Sequence, residues 1–391
     1  MKNYIEILSE NKKWAEELFA KIDTKLSHVT KRSFSKLPDG VDAQGRHVEK
    51  KVDWWTNGFW GGLNLLMYNS TGNEDYLMTA HESERLLDGA FKNIDELHHD
   101  VGFMWHILSG ANYRLTGDTA SKMRNLACAS ILSSRFILGG NFIRAWNSPS
   151  SSYGGSTLNW TIIDTMMNLP LLYWASEEIG DDRFKRIAMA HADNAIKTHI
   201  RPDGSVAHIV EHDRETGELV KTYGGQGYAV GSSWSRGQAW ALYGFALSYM
   251  HTGEQRYLDA ALRVANYFVT NCHGDWLARV DFRAPNEPEW YDSTAGAIAA
   301  AGLLEIAKHL PEEQGGAYAS AAVNMLKAMS ERFLNLDPET DDLLDYGTVR
   351  YPKTEADFNN VNSLVHISII YGDFFFVEAL LKLLGSEFNP W

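Results

Sequence analysis

Apolar residues along this chain recur at the three-to-four-residue spacing of helices, and the helical segments alternate between two kinds. One kind is aromatic and small-residue-rich on every side, as in WSRGQAWALYGFALSYM from Trp234 to Met250. The other carries charge on one face, as in RYLDAALRVANYFVTNC from Arg256 to Cys272. A helix apolar all round belongs inside a protein, and a half-polar one outside. The same connector recurs between the two kinds: TGNEDYL from Thr71, TGDTASK from Thr116, IGDDRFK from Ile179 and TGEQRYL from Thr252. Glycine suits the left-handed residue that ends a helix, and the acid beyond it favours the positive N-terminal end of the next.

Inner helices are predicted near 57–69, 102–115, 161–178, 234–250, 292–309 and 363–384. Six inner helices with outer partners define an all-α fold, an (α/α)6 toroid, with long loops at one rim and a single domain over residues 1–391. A helical solenoid is the rival, but solenoid repeats keep a tighter period than these turns. Two stretches interrupt the helices. Ser33–Trp55 is turn-rich, and Arg201–Ser233 reads as a hairpin followed by a glycine-rich loop. Long loops in a compact domain are usually functional.

Composition narrows the class. Of 391 residues, 45% are hydrophobic and 22% charged, an ordinary folded balance. A formal net charge of −14 argues against nucleic acid as a partner, because binding phosphates takes clustered cations. An anionic small substrate stays open, since one local arginine can hold it. No apolar run reaches the ~20 residues that span a bilayer, so no membrane partner is expected. The N-terminal segment MKNYIEILSENKKWAEELFAKI is amphipathic and carries acids, unlike a secretion signal, so a cytoplasmic location is expected. Cys128 and Cys272 are too few for a disulfide scaffold. Monomer and homodimer both remain open.

The candidate chemistry starts at NWTIIDTMMNLPLLYWAS, where Asp164 sits in an apolar, aromatic setting read as helical. Burial disfavours the charged form of a carboxyl, and a protonated acid at neutral pH is a catalytic tool. A helix-capping aspartate is the plainer alternative. A second constellation upstream, LHHDVGFMWHI, shifts the balance by setting His99 and Asp100 beside glycine and aromatics. Thirteen tryptophans, many near inner-helix starts, either fill core or offer flat platforms for sugar rings. Arg236 and Trp240 are four apart and face the same space, although a structural ion pair accounts for Arg236 equally well.

HIVEH, His208 to His212, matches a zinc-peptidase pattern that chelates only on a helix. Its flanking turns favour a strand, which would hold the two imidazoles about 13 Å apart. His98 and His99 are adjacent and expected to point in different directions, so no metal is expected.

DWWTNGFWGG, HHDVGFMWH, RAWN, NWTIIDTMMNLPLL, GSVAHIV, GGQGY, SSWSRGQAWALYG, STAGAIAA and YGDFFFVEALL together resemble the unsaturated glucuronyl hydrolases, glycoside hydrolase family 88. The resemblance runs from about Trp54 to Leu381. It implies the (α/α)6 toroid and release of a 4,5-unsaturated uronic acid from the non-reducing end of lyase-generated oligosaccharides, mainly from glycosaminoglycans. No cofactor is implied. By matching motif, Asp164 is implied as general acid and base and Asp100 as the supporting carboxylate. Trp55 and Trp240 would stack on the sugar, and His99, His208, Gln226 and Arg236 would hold its polar groups. Trp146 would line the leaving-sugar side. An ionised Asp100 is expected to raise the pKa of Asp164.

Some relatives bind sulfate through Ser and Lys near the C-terminus. Here Ser363 and Ser368 have no lysine close behind, while Arg350 and Lys353 lie upstream, so the sulfation preference stays open. The sister family acting on unsaturated rhamnogalacturonides ranks second. A sugar epimerase, with His208 and His366 as its acid–base pair, or a non-catalytic sugar-binding toroid ranks third.

Overall fold

Gly72, Gly117, Gly180 and Gly253 each end a helix with φ between 67 and 77°, so the recurrent connector acts as a left-handed stop. Beyond two of them, the Asn73 and Asp118 side chains accept from Asp75 N and Ala120 N and cap the next helix. The computed structural model describes residues 2–148, 151, 153, 156–272 and 274–391.

Two concentric rings result. The inner ring contains α2 (Phe59–Thr71), a π-helix (Gly102–Gly110) that runs into α4 (Ala111–Thr116), α6 (Pro170–Ile179), α8 (Ser235–Thr252), α10 (Ser293–Lys308) and α13 (Ile370–Leu383). Outside them lie α3 (Glu74–Leu87), α5 (Thr119–Ser133), α7 (Arg183–Thr198), α9 (Gln255–Asn271), α11 (Glu312–Arg332) and α1 (Tyr4–Arg32). The ring closes because α13 packs on α2 and α1 packs on both α11 and α3. The fold is the α/α toroid. The two kinds of helix sort as expected: α8 and α10 are buried almost throughout, whereas α9 buries one face.

Short strands occupy the connections: β1 (Pro38–Val41) with β2 (His47–Glu49), β3 (Phe136–Ile137) with β4 (Phe142–Ile143), and a sheet ordered β5 (Trp160–Ile162), β6 (Ile209–His212), β7 (Leu219–Tyr223). A short α12 (Glu355–Asn359) lies in the last long connection. The expected helix over 161–178 is corrected here: α6 starts only at Pro170, and Asp164 lies in a single 3₁₀ turn, Ile163–Met167, that follows β5. The run Thr161-Ile162-Ile163 is β-branched and fits a pleated strand better than a helix. Pairing of Ile162 with Ile209 ties it to the hairpin. The last inner helix likewise starts at Ile370 rather than near 363. Among the described residues, no helix is long and apolar enough to cross a membrane.

Candidate active site

Chemistry-bearing residues gather where the inner helices begin. Trp55 precedes α2, Asp100 precedes the π-helix, Asp164 precedes α6, Arg236 opens α8, Asp292 flanks α10 and Tyr371 opens α13. Helix N-termini carry a partial positive charge, so this end of the ring favours an anionic ligand.

Asp164 is held by its backbone. Ile163 N donates to His208 O at 3.1 Å, and Asn168 Nδ2 donates to Asp164 O at 3.2 Å. Its side chain is 16% exposed, and Oδ2 has no hydrogen-bond partner among the described residues. Burial pushes its carboxyl up to about 7, against the lowering effect of the Arg236 charge and of its own backbone amide. At neutral pH such a group is divided between acid and base, which suits one residue that must both give and take a proton.

Asp100 is also buried and sits well above the usual carboxylate range. Burial is the main cause, and the charge of Asp164 raises it further, while the Asn168 hydrogen bond and Arg135 lower it. Burial is the main cause of the rise in both carboxyls, and the repulsion between two such neighbouring acids is mutual. Asn168 connects them, donating to Asp100 Oδ1 at 3.2 Å while its own Oδ1 accepts from Phe103 N at 2.8 Å. Gly102 is needed at that crossing, since a Cβ there would lie 2.6 Å from Asn168 Oδ1.

His99 is buried, with Nδ1 2.7 Å from Thr165 Oγ1 and Nε2 3.4 Å from Asp100 Oδ2. Adjacency led to the expectation that His98 and His99 point in different directions, and this is corrected: both rings face Asp100. His98 Nδ1 lies 3.4 Å from the same Asp100 oxygen, because the chain folds back on itself with Val101 N reaching His98 O. His208 accepts from Gln226 N on Nδ1 at 3.0 Å, and its Nε2 lies 3.6 Å from Asp164 Oδ2. Burial holds the His208 ring well below its ordinary pKa, so it is neutral and carries its proton on Nε2. As expected, HIVEH enters a strand, and His212 turns away to Thr161 Oγ1 at 2.7 Å.

Gln226 also donates through Nε2 to Val349 O at 2.7 Å. Arg236 is buried in an ion pair with Asp292 and donates to Thr348 O and Val349 O, the structural role weighed as its alternative. It lies over the Tyr371 ring, 5.4 Å from the centroid. Trp55, half-buried, packs 5.1 Å from the same ring. Trp240 is corrected as a stacking platform. It is fully buried among Phe103, Tyr371 and Phe375 and presents no open face, so it backs the site instead. Trp146 is half-buried, stacks on Tyr153 and follows Ala145, whose carbonyl accepts from His99 N at 3.2 Å.

Sequence reasoning missed Asn168, Thr165, Asp292 and Tyr371. Asn168 and Thr165 follow Asp164 closely in NWTIIDTMMN, but their value depends on a fold-back that no helical pattern conveys.

A toroid that gathers two raised carboxyls, a neutral histidine and an accessible indole at one rim is built for acid–base work on a small polar ligand. The comparisons with known proteins give that class its name: a glycoside hydrolase. The model of Glycosyl Hydrolase Family 88 matches residues 26–358. The chain is 34% identical to the unsaturated glucuronyl hydrolase of Bacillus sp. (strain GL1) over 379 residues, covering 93% of this chain and 96% of that one. It is 32% identical to the unsaturated chondroitin disaccharide hydrolase of Streptococcus pneumoniae (strain ATCC BAA-255 / R6), over 84% of this chain and 81% of that one. The crystal structure of unsaturated glucuronyl hydrolase from Streptococcus agalactiae superimposes with a TM-score of 0.87 at 28% identity, covering 97% of this chain and 94% of that one. The protein belongs to glycosyl hydrolase family 88.

Proposed function

We propose that this hydrolase removes a 4,5-unsaturated uronic acid from the non-reducing end of glycosaminoglycan oligosaccharides left by polysaccharide lyases. The names of its relatives support the substrate class. The observation that carries the chemistry is the Asp164 carboxyl, whose Oδ2 is buried without a hydrogen-bond partner among the described residues; desolvation pushes this group up to about 7.

An unsaturated uronate is an enol ether. Protonation of carbon 4 by Asp164 leaves an oxocarbenium ion at carbon 5, stabilised by the ring oxygen. The resulting Asp164 carboxylate takes a proton from water, which adds at carbon 5. The hemiketal so formed opens and expels the aglycone. No leaving-group protonation is needed, so the carboxylate-spacing rule of ordinary glycosidases does not govern this pair. Proton and nucleophile come from Asp164 and water, and the reaction requires no cofactor. In this reading Asp100 and His99 hold ring hydroxyls, Trp55 stacks on the ring, and Trp146 lines the side of the departing sugar. Gln226 and Arg236 shape the rim around His208. The chain acts as one catalytic domain, supported by the packing of α13 on α2.

The test is a panel of lyase-derived unsaturated disaccharides from chondroitin, hyaluronan, heparin and rhamnogalacturonan, in metal-free buffer. Loss of the ultraviolet absorbance of a glycosaminoglycan member is expected. Selective turnover of the rhamnogalacturonide would move the protein to that substrate, and no turnover of any member would remove the assignment.

A further inference from the structure

His98, His99 and Asp100 are consecutive, yet their ligating atoms all lie within 4.8 Å of one another. His98 Nδ1 and His99 Nε2 each lie 3.4 Å from Asp100 Oδ2. A tetrahedral cation bonded at about 2.0–2.1 Å to nitrogen and oxygen keeps its ligands roughly 3.3–3.4 Å apart. The spacing to the shared oxygen matches. His98 Nδ1 also accepts from Asp100 N at 3.4 Å, a long contact that a bound cation would replace. His99 is oriented from its far side by Thr165 Oγ1 at 2.7 Å, the kind of outer contact that fixes a ligating imidazole. Asp100 Oδ1 is held by Asn168 Nδ2 at 3.2 Å, which leaves Oδ2 to face the two rings. Among the described residues no other group of three such side chains converges in this way. His98 is one-quarter exposed, which leaves a path from solvent.

We propose that His98, His99 and Asp100 form a binding site for a borderline divalent cation of the Zn²⁺ type, and that filling it inhibits the enzyme by engaging Asp100 and His99. The site goes beyond the hydrolytic reaction, which uses no metal. Only its inhibitory consequence rests on the proposed function.

The test is calorimetric titration of metal-free protein with Zn²⁺, with Co²⁺ absorption as a second readout of ligand geometry. Wild type should bind one equivalent saturably. His98→Gln, which keeps an acceptor for Asp100 N, should weaken binding at least about tenfold, the scale of lost metal-site contacts. In the disaccharide assay Zn²⁺ should raise the apparent KM, with reversal by a chelator. His98→Gln should lose the sensitivity, read as the ratio of its rates with and without Zn²⁺. No saturable binding by wild type, or equal affinity in His98→Gln, would overturn the site, whether or not the disaccharides are turned over. Binding without any rise in KM would overturn the inhibitory consequence.

Discussion

His208 Nε2 lies 3.6 Å from Asp164 Oδ2, and neither atom has a hydrogen-bond partner among the described residues. The gap is longer than a formed hydrogen bond, as catalytic pairs often are before substrate binds. Because Gln226 N occupies His208 Nδ1, the proton on Nε2 faces the carboxyl. A neutral donor there favours the carboxylate, so its removal should raise the Asp164 pKa. His208→Leu is expected to shift the acid–base limb of the pH–rate profile upward and lower turnover about 10- to 100-fold, within the range of a positioned proton-transfer partner. His208→Gln, with an amide donor, should recover part of both. A profile identical to wild type in His208→Leu would contradict the pairing.

Gly225 protects that arrangement. Its φ is +54°, and a Cβ would lie 2.0 Å from His208 Nδ1. Gly225→Ala should cost about 1–2 kcal/mol for the backbone alone and also push the imidazole off Asp164. Gly231→Ala, at φ +80° with nothing within 4 Å of its Cβ, is the control. Both variants should show the backbone cost, Gly225→Ala should lose more because of the clash, and kcat/KM should fall for Gly225→Ala only. Equal activities would show that the close approach does not matter.

Asn168 is a positioning residue that joins the Asp100 carboxyl to the Asp164 backbone carbonyl. Asn168→Asp keeps the acceptor for Phe103 N and replaces the donor to Asp100 with an acid. Two acids this close resist both being charged. The apparent pKa values of the coupled group should rise and turnover should fall at neutral pH. Unaltered pH–rate behaviour would show that Asn168 serves only the backbone.

Much of the architecture was legible because it follows from local chemistry: Gly72 and Gly117 stop helices, and the apolar-all-round α8 must go inside. Asp164 was legible as a buried acid, but its strand-and-turn setting was not, because Thr161, Ile162 and Ile163 owe their conformation to pairing with a hairpin some fifty residues away. Trp55 and Trp240 look alike as sequence, and only tertiary packing separates the open indole from the buried one. The convergence of His98 with His99 depends on a reversal at Val101 that side-chain spacing does not report.

Buried histidines outside the site make a prediction about acid stability. Thr161 Oγ1 lies 2.7 Å from both His199 Nε2 and His212 Nε2, and His191 Nδ1 accepts from Ile143 N. Burial lowers His191 and His199 to about 3. Between the ordinary value of 6.5 and about 3, the unfolded chain takes up protons that the folded chain refuses, so stability falls as pH falls through that window. Each such histidine contributes a slope approaching about 1.4 kcal/mol per pH unit. The raised acids Asp164 and Asp100 act with the opposite sign, so the comparison must be with a variant. His191→Asn should lose less stability than wild type between about pH 6 and 4, measured by urea unfolding. Parallel pH dependences would contradict a neutral, buried His191.

The central claim is that Asp164 is a carboxylic acid held near half-protonation at neutral pH. Difference infrared titration of wild type against Asp164→Asn reads this carboxyl directly, provided the variant keeps the wild-type fold and unfolding midpoint. A protonated-carboxyl band that disappears with a midpoint near 7, together with near-complete loss of turnover in the variant, is the predicted result. A midpoint at the ordinary 3.8, or a variant that still turns over substrate, would mean that another group supplies the proton.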